Sequence, residues 1–168
     1  MIIDGEHLFH APRDIVYQML QDPEVLAGAL PNAQSLTKID DEHYEAAFHI
    51  RIGPVSGMFL GKLAVVEAVP PEKCVVNLEG RAGPAFATGR LFINFSMLSE
   101  TTTLLKYIGE AEAGGALANV APRIVEQVAR RFVKQAFQSL DKMLQARQKQ
   151  AGLANSAQGD GSGGKSPQ

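Results

Sequence analysis

A single cysteine, no tryptophan and no long apolar run are what this chain withholds, and each shortage removes a class of protein. The lone thiol of Cys74 rules out an intrachain disulfide framework and is compatible with a reducing compartment. Nowhere do the ~20 consecutive apolar residues of a membrane-spanning helix occur. The start Met1-Ile2-Ile3-Asp4-Gly5-Glu6 lacks the basic residues and apolar stretch of a secretory signal. The sequence therefore predicts a cytoplasmic protein, either freely soluble or peripheral at the inner face of the cell membrane.

Catalytic signatures are missing too. Ser56-Gly57 lacks the first half of a Gly-x-Ser-x-Gly elbow. Gly61-Lys62 has Ser56 where a phosphate-binding loop needs glycine, and Leu63 where it needs Ser or Thr. The glycines at 159, 161 and 163 follow no predicted strand. His7, His10, His43 and His49 show no spacing that would place two on one face of an element, so no metal site and no cofactor is expected. Together these absences predict a protein without enzymatic activity.

Charge is unevenly spread. Residues 1–121 hold 8 Lys and Arg against 15 Asp and Glu, whereas residues 122–149 hold 7 against 2. An acidic body with a basic last helix argues against nucleic-acid binding, which needs a dominant positive field.

What is present reads as α+β. Residues 2–9 alternate as a first strand, Pro12–Leu20 forms a short helix, and Asp22-Pro23-Glu24 opens a second with Asp22 as its cap. Five strands follow, around 46–52, 59–69, 74–79, 89–97 and 101–113, the first, third and fourth alternating along the chain. The run Ile52-Gly53-Pro54-Val55-Ser56-Gly57 reads as a hairpin corner. After Gly114-Gly115 a long helix ends near Lys149, its apolar arc wider than an ordinary surface helix shows. Pro122 either marks its true start or bends it. The domain is predicted over residues 1–149. Residues 150–168 form a polar Gly- and Ser-rich tail that cannot offset its ordering entropy and is expected to be disordered.

One arrangement buries every apolar face: a curved antiparallel sheet gripping the last helix, with two short helices plugging one end. This is the helix-grip, or START-like, architecture. In detail the chain resembles the family of the carbon monoxide dehydrogenase G-subunit. The likeness rests on Pro12-x-x-x-Val16-Tyr17, Asp22-Pro23-Glu24-Val25-Leu26, Leu30-Pro31, Ile52-Gly53-Pro54-Val55 with Phe59-x-Gly61-Lys62, and Gly114-Gly115-x-Leu117-Ala118. It departs from the family pattern at Asn32, where glycine is usual, at Tyr17, where tryptophan is common, and at Pro122, where glycine is frequent.

The resemblance implies an accessory protein of a molybdenum hydroxylase, binding a lipophilic molecule such as a quinone or lipid and linked to maturation or membrane recruitment of that enzyme. The residues expected to line an apolar cavity are Leu26, Leu30, Phe48, Phe59, Leu78, Phe86, Ile93, Phe95, Tyr107, Val128 and Phe132, with Gly80, Gly83 and Gly89 leaving room. Arg123, Arg130, Arg131 and Lys134 form a basic stripe that is either a solvated helix face or a contact for anionic lipid or an acidic partner. Two rivals stand beside this reading: a polyketide cyclase-like enzyme, for which only Tyr107, Asn94 and Arg90 offer polar groups, and an adaptor with a closed core.

Overall fold

Two Gly-Pro dipeptides close two-residue corners of the chain. Gly53-Pro54 joins Ile52 to its partner Val55, and Gly83-Pro84 joins Ala82 to Ala85. Both turns begin with a left-handed glycine, at φ 59° and 56°, which a side chain would resist. The second corner repeats the first in sequence, a signal that reading for strands alone passed over.

The computed structural model describes residues 1–163. Strand β1 (Ile2–Phe9) is followed by helices α1 (Arg13–Met19) and α2 (Pro23–Ala29), then by six strands: β2 (Ala33–Lys38), β3 (His43–Ile52), β4 (Val55–Val69), β5 (Lys73–Ala82), β6 (Ala85–Ser99) and β7 (Thr102–Gly115). A 3-10 helix (Ala116–Asn119) leads into α3 (Pro122–Gly163). All seven strands form one antiparallel sheet in the order β1-β7-β6-β5-β4-β3-β2. Register shifts at Val65/Glu67 and Met97/Ser99 interrupt the long strands, and such bulges increase bend and twist.

The short helices follow their local chemistry. Asp22 accepts a hydrogen bond from the Glu24 N–H at 3.0 Å, capping α2 with Pro23 at its first position. Asn32 sits at φ 59°, the conformation for which glycine is the easy choice, and Asn is among the few side chains that tolerate it.

Two sequence expectations needed correction, and one alternative left open was decided. Strand β2 was not anticipated, because Gln34, Ser35, Thr37 and Lys38 leave Leu36 as its only large apolar residue. It is an edge strand with one neighbour. Of the two readings of Pro122, the one in which it marks the true start of the long helix holds. Gly115 turns the chain at φ 58° into the 3-10 helix, Val120 is extended, and α3 starts at Pro122, whose missing N–H costs nothing there. Its other end runs beyond Lys149 to Gly163: no proline intervenes before Pro167, and Ala151, Leu153, Ala154 and Ala157 favour helix. The predicted tail thus carries helix as far as Gly163, and residues 164–168 lie outside the described residues.

Helix α3 is fastened to β1 by polar contacts along its length. Arg130 reaches Glu126 at 2.9 Å, the Ile2 carbonyl at 3.1 Å and Asp4 at 3.5 Å. His7 meets Asp141 at 2.7 Å, and the Gln148 amide donates to the His10 carbonyl at 2.9 Å. On its far flank Met143 packs over Gly28 of α2, and Arg147 faces Asp22 at 3.6 Å.

The core is split in two. The larger cluster joins Phe9, Val16, Tyr17, Val25, Phe95, Leu105, Tyr107, Phe137, Leu140 and Leu144 beneath α1 and α2. A smaller one joins Ile52, Phe59, Ala85, Leu117, Val120 and Val125 at the opposite end of the sheet. Between them the sheet and α3 stand apart, bridged by the Phe48–Phe132 ring pair.

Candidate functional site

The gap between the two clusters follows from a stripe of missing side chains. Read across the sheet, Ala46 pairs with Gly61, Gly61 with Gly80, Gly80 with Ala87, and Ala87 with Ala113. The next inward row runs Tyr44, Leu63, Leu78, Gly89, Ala111, each the cross-strand partner of the one before. In the row after that Leu91 faces Gly109, which also pairs with Ile3 of β1. A strand presents every second residue to one face. Small residues at matching register on several strands therefore cut a trough across the concave side.

Over this trough lies α3, offering Val125, Val128, Ala129, Phe132 and Val133, an i, i+3, i+4, i+7, i+8 stripe. The hollow, open to solvent along part of its rim, measures about 290 Å³. Leu30 and Leu36 wall one side, and Ile52, Phe59 and Leu117 close the end at the smaller cluster. Phe48 of β3 meets Phe132 of α3 edge-on at 5.5 Å, bridging sheet and helix, and its ring lies across Gly61. Charged residues along the trough, Lys62, Glu79, Arg90, Glu110 and Glu112, alternate with the inward ones and are exposed. The walls are consequently apolar. A second hollow, of about 10 Å³ among Phe9, Val16, Met19 and Leu140, has room for no more than about one water.

Six of the eleven residues expected to line a cavity do so: Leu30, Phe48, Phe59, Leu78, Val128 and Phe132. The other five lie elsewhere. Ile93, Phe95 and Tyr107 face inward but belong to the packed larger cluster. Leu26 is buried on α2 and does not reach the hollow. Phe86 points to the other face, where it carries the Arg81 guanidinium over its ring at 5.1 Å and lies on Gly114. Strand parity foretells this, since Phe86 shares its phase with the exposed Arg90 and Asn94. Of the glycines expected to leave room, Gly80 and Gly89 line the hollow, whereas Gly83 belongs to the second hairpin turn. The alanines Ala46, Ala87 and Ala111 and glycines Gly61 and Gly109 escaped notice, because a small residue signals a void only when its cross-strand partners are also small.

The polar groups considered for catalysis do not converge. The Arg90 side chain donates to Asn77 at 3.0 Å on the exposed face, and Asn94 is exposed. Tyr107 lies against Phe137 with ring centroids 5.1 Å apart, and its hydroxyl end covers Gly5 of β1. Burial, with Asp4 nearby, raises the Tyr107 pKa above its ordinary value.

In the basic stripe, Arg130 is engaged with β1 and Glu126, whereas Arg123, Arg131 and Lys134 are exposed. Cys74 lies against the larger cluster, and burial pushes its thiol pKa up to about 11 from 9.0. At pH 8 the folded protein is expected to react with an aromatic disulfide reagent roughly 100-fold more slowly than free cysteine. The same shift stabilises the fold below about pH 9 and is lost as pH climbs toward 11, because the unfolded chain releases the proton first. Timed thiol titration checks the first point; reaction at the free-cysteine rate contradicts it.

A seven-stranded curved sheet gripping a long C-terminal helix defines a START-like protein, and solved structures agree. A conserved protein from Geobacillus kaustophilus superposes with a TM-score of 0.80 at 25% identity, covering 87% of this chain and 96% of that one. A START superfamily protein from Mycobacterium smegmatis gives 0.66 at 13%, covering 86% and 97%. An aromatase/cyclase from a Streptomyces species gives 0.64 at 14%, covering 88% and 94%, a likeness of fold alone. Residues 5–145 match the CoxG family, that of the carbon monoxide dehydrogenase G-subunit, and the chain belongs to that family. No curated protein sequence matches it. No helix among the described residues is long and apolar enough to cross a membrane.

Proposed function

We propose that this protein is a non-catalytic carrier that holds a neutral lipophilic molecule, a quinone or lipid, on behalf of a molybdenum hydroxylase of the carbon monoxide dehydrogenase type. It would assist membrane recruitment or maturation of that enzyme. The observation that carries the reading is the apolar hollow of about 290 Å³ between trough and helix. It is roughly twice the ~150 Å³ that suffices for an apolar cavity to bind benzene. That room suits a fused two-ring head or a comparable length of prenyl chain, and a longer tail would have to leave through the rim.

Partitioning supplies the affinity. Each buried CH₂ returns about 0.8 kcal/mol, so a ligand of this size offsets a substantial part of the cost of association. The absence of a charged side chain facing the hollow disfavours an anionic ligand, whose desolvation would go unpaired. The cyclase alternative needs convergent polar groups in the pocket, and Arg90, Asn94 and Tyr107 do not provide them. A closed-core adaptor is disfavoured by the hollow itself. We take residues 1–149 as the binding unit and residues 150–168 as dispensable for it.

The test is solvent extraction and native mass spectrometry of the purified full chain, beside a form ending at Lys149. Both are expected to release the same neutral lipophilic species and to rebind it stoichiometrically. Ligand-free preparations that also fail to take up a short-chain quinone or a prenol would overturn the carrier reading.

A further inference from the structure

The two ends of the sheet differ in charge. At the end that carries the loops β2–β3, β4–β5 and β6–β7 acids and bases are mixed: Asp40, Asp41, Glu42, Glu72 and Glu100 lie there with Lys38 and Lys73, Lys38 pairing with Asp41 and Lys73 with Glu67. The opposite end is built from three segments: the hairpin tips at 51–57 and 81–87, and the stretch 113–124 that carries the 3-10 helix into α3. These segments contain no acidic residue, and their only charges are Arg51, Arg81 and Arg123, all exposed.

The three segments are physically joined. The Ala116 N–H donates to the Pro84 carbonyl at 3.0 Å, and Gly53 lies beneath Val120 and Ile124. Between the arginines the surface offers Pro54, Pro84, Ala118, Ala121, Pro122 and Ile124, each exposed. The nearest carboxylates, Glu79, Glu112 and Glu126, lie just outside these segments, and Glu126 is held by Arg130. Immediately behind this surface sits the smaller core cluster, which closes one end of the hollow.

We propose that this arginine-ringed, acid-free end is the surface by which the protein docks on an anionic lipid bilayer. This deepens the carrier reading by naming its contact face and rests on it for its purpose. Charge complementarity selects the partner: guanidinium groups meet lipid phosphates, and the small apolar tips between them enter the headgroup region without burying an anion. The opposite end, where acids and bases are mixed, would point to the cytosol. A ligand passing between bilayer and hollow would then cross the smaller cluster instead of the main core. Each basic residue at such a surface contributes about five-fold in partitioning, so the three together contribute roughly 100-fold, decreasing with salt.

The experiment is cosedimentation of the full chain with phosphatidylcholine vesicles, with and without phosphatidylglycerol, at low and physiological salt. The triple variant Arg51→Gln, Arg81→Gln, Arg123→Gln is compared with Arg131→Gln, Lys134→Gln on the helix flank. The parent protein is expected to bind only the anionic vesicles, the triple variant to lose roughly 100-fold, and the flank variant to keep most of its binding. Unfolding midpoints and uptake of a short-chain quinone, read on the same samples, are expected to be unchanged in both, so failure of the docking surface is distinguishable from failure of the hollow. Vesicle binding unchanged in the triple variant, absent from the parent, or lost only in the flank variant would overturn the proposal.

Discussion

Gly80→Leu is expected to melt higher than the parent protein and to hold no ligand. An added Cβ at this position meets only Phe59 at 3.9 Å, an ordinary contact, and the backbone is not left-handed there. The remaining atoms of the side chain would project into the trough and occupy space now empty. Burying a leucine stabilises by about 1.5–3 kcal/mol, and replacing glycine within a strand adds about 0.5–1 kcal/mol. Part of this is offset where the new side chain crowds Phe59. A net gain near 2 kcal/mol raises the midpoint by roughly 4–8 °C for a chain of this length.

The same leucine removes room for a cavity-sized ligand, and a loss of at least 100-fold in uptake of a short-chain quinone is expected, equivalent to about 3 kcal/mol. Stability and binding thus move in opposite directions, as they should where a fold keeps a hollow for use. Thermal unfolding and fluorescence titration on one preparation decide it. A Gly80→Leu protein that binds like the parent would show that the hollow is not the ligand site.

The second large effect is the opposite in sign. Gly115→Ala places a methyl group on the carbonyl oxygen of Pro84, in a residue already at φ 58°. A backbone at φ 58° and ψ −132° costs an alanine about 1–3 kcal/mol, and the overlap adds about 1–3 kcal/mol while displacing the Ala116-to-Pro84 hydrogen bond. Destabilisation of about 3 kcal/mol, or roughly 6–12 °C in midpoint, is expected. Gly152→Ala is the control, since nothing lies within 4 Å of the added atom. Equal melting of the two variants would refute the assignment of Gly115 as the hinge between β7 and the 3-10 helix.

The legible parts of this protein were those written in local chemistry. Alternation along β3 and β6, the Asp22-Pro23 cap and the Gly53-Pro54 corner all depend on neighbours a few residues apart. Strand β2 was hidden because an edge strand with one large apolar residue shows no period. Phe86 was misplaced because aromatic character outweighed its strand phase. Tyr107 and Phe95 face inward, as expected, yet whether an inward side chain meets packing or empty space depends on its partners across the sheet.

By itself, then, the order of residues determined the architecture: the strand periods, the turn glycines and the wide apolar arc of α3 admit few ways to bury every greasy face. Only the tertiary structure decided where the hollow lies and which end is free of acid. Both depend on register. Gly61 and Gly80 become one gap only when pairing sets them side by side, and Arg51, Arg81 and Arg123 become one ring only when three corners distant in the chain are brought to the same edge.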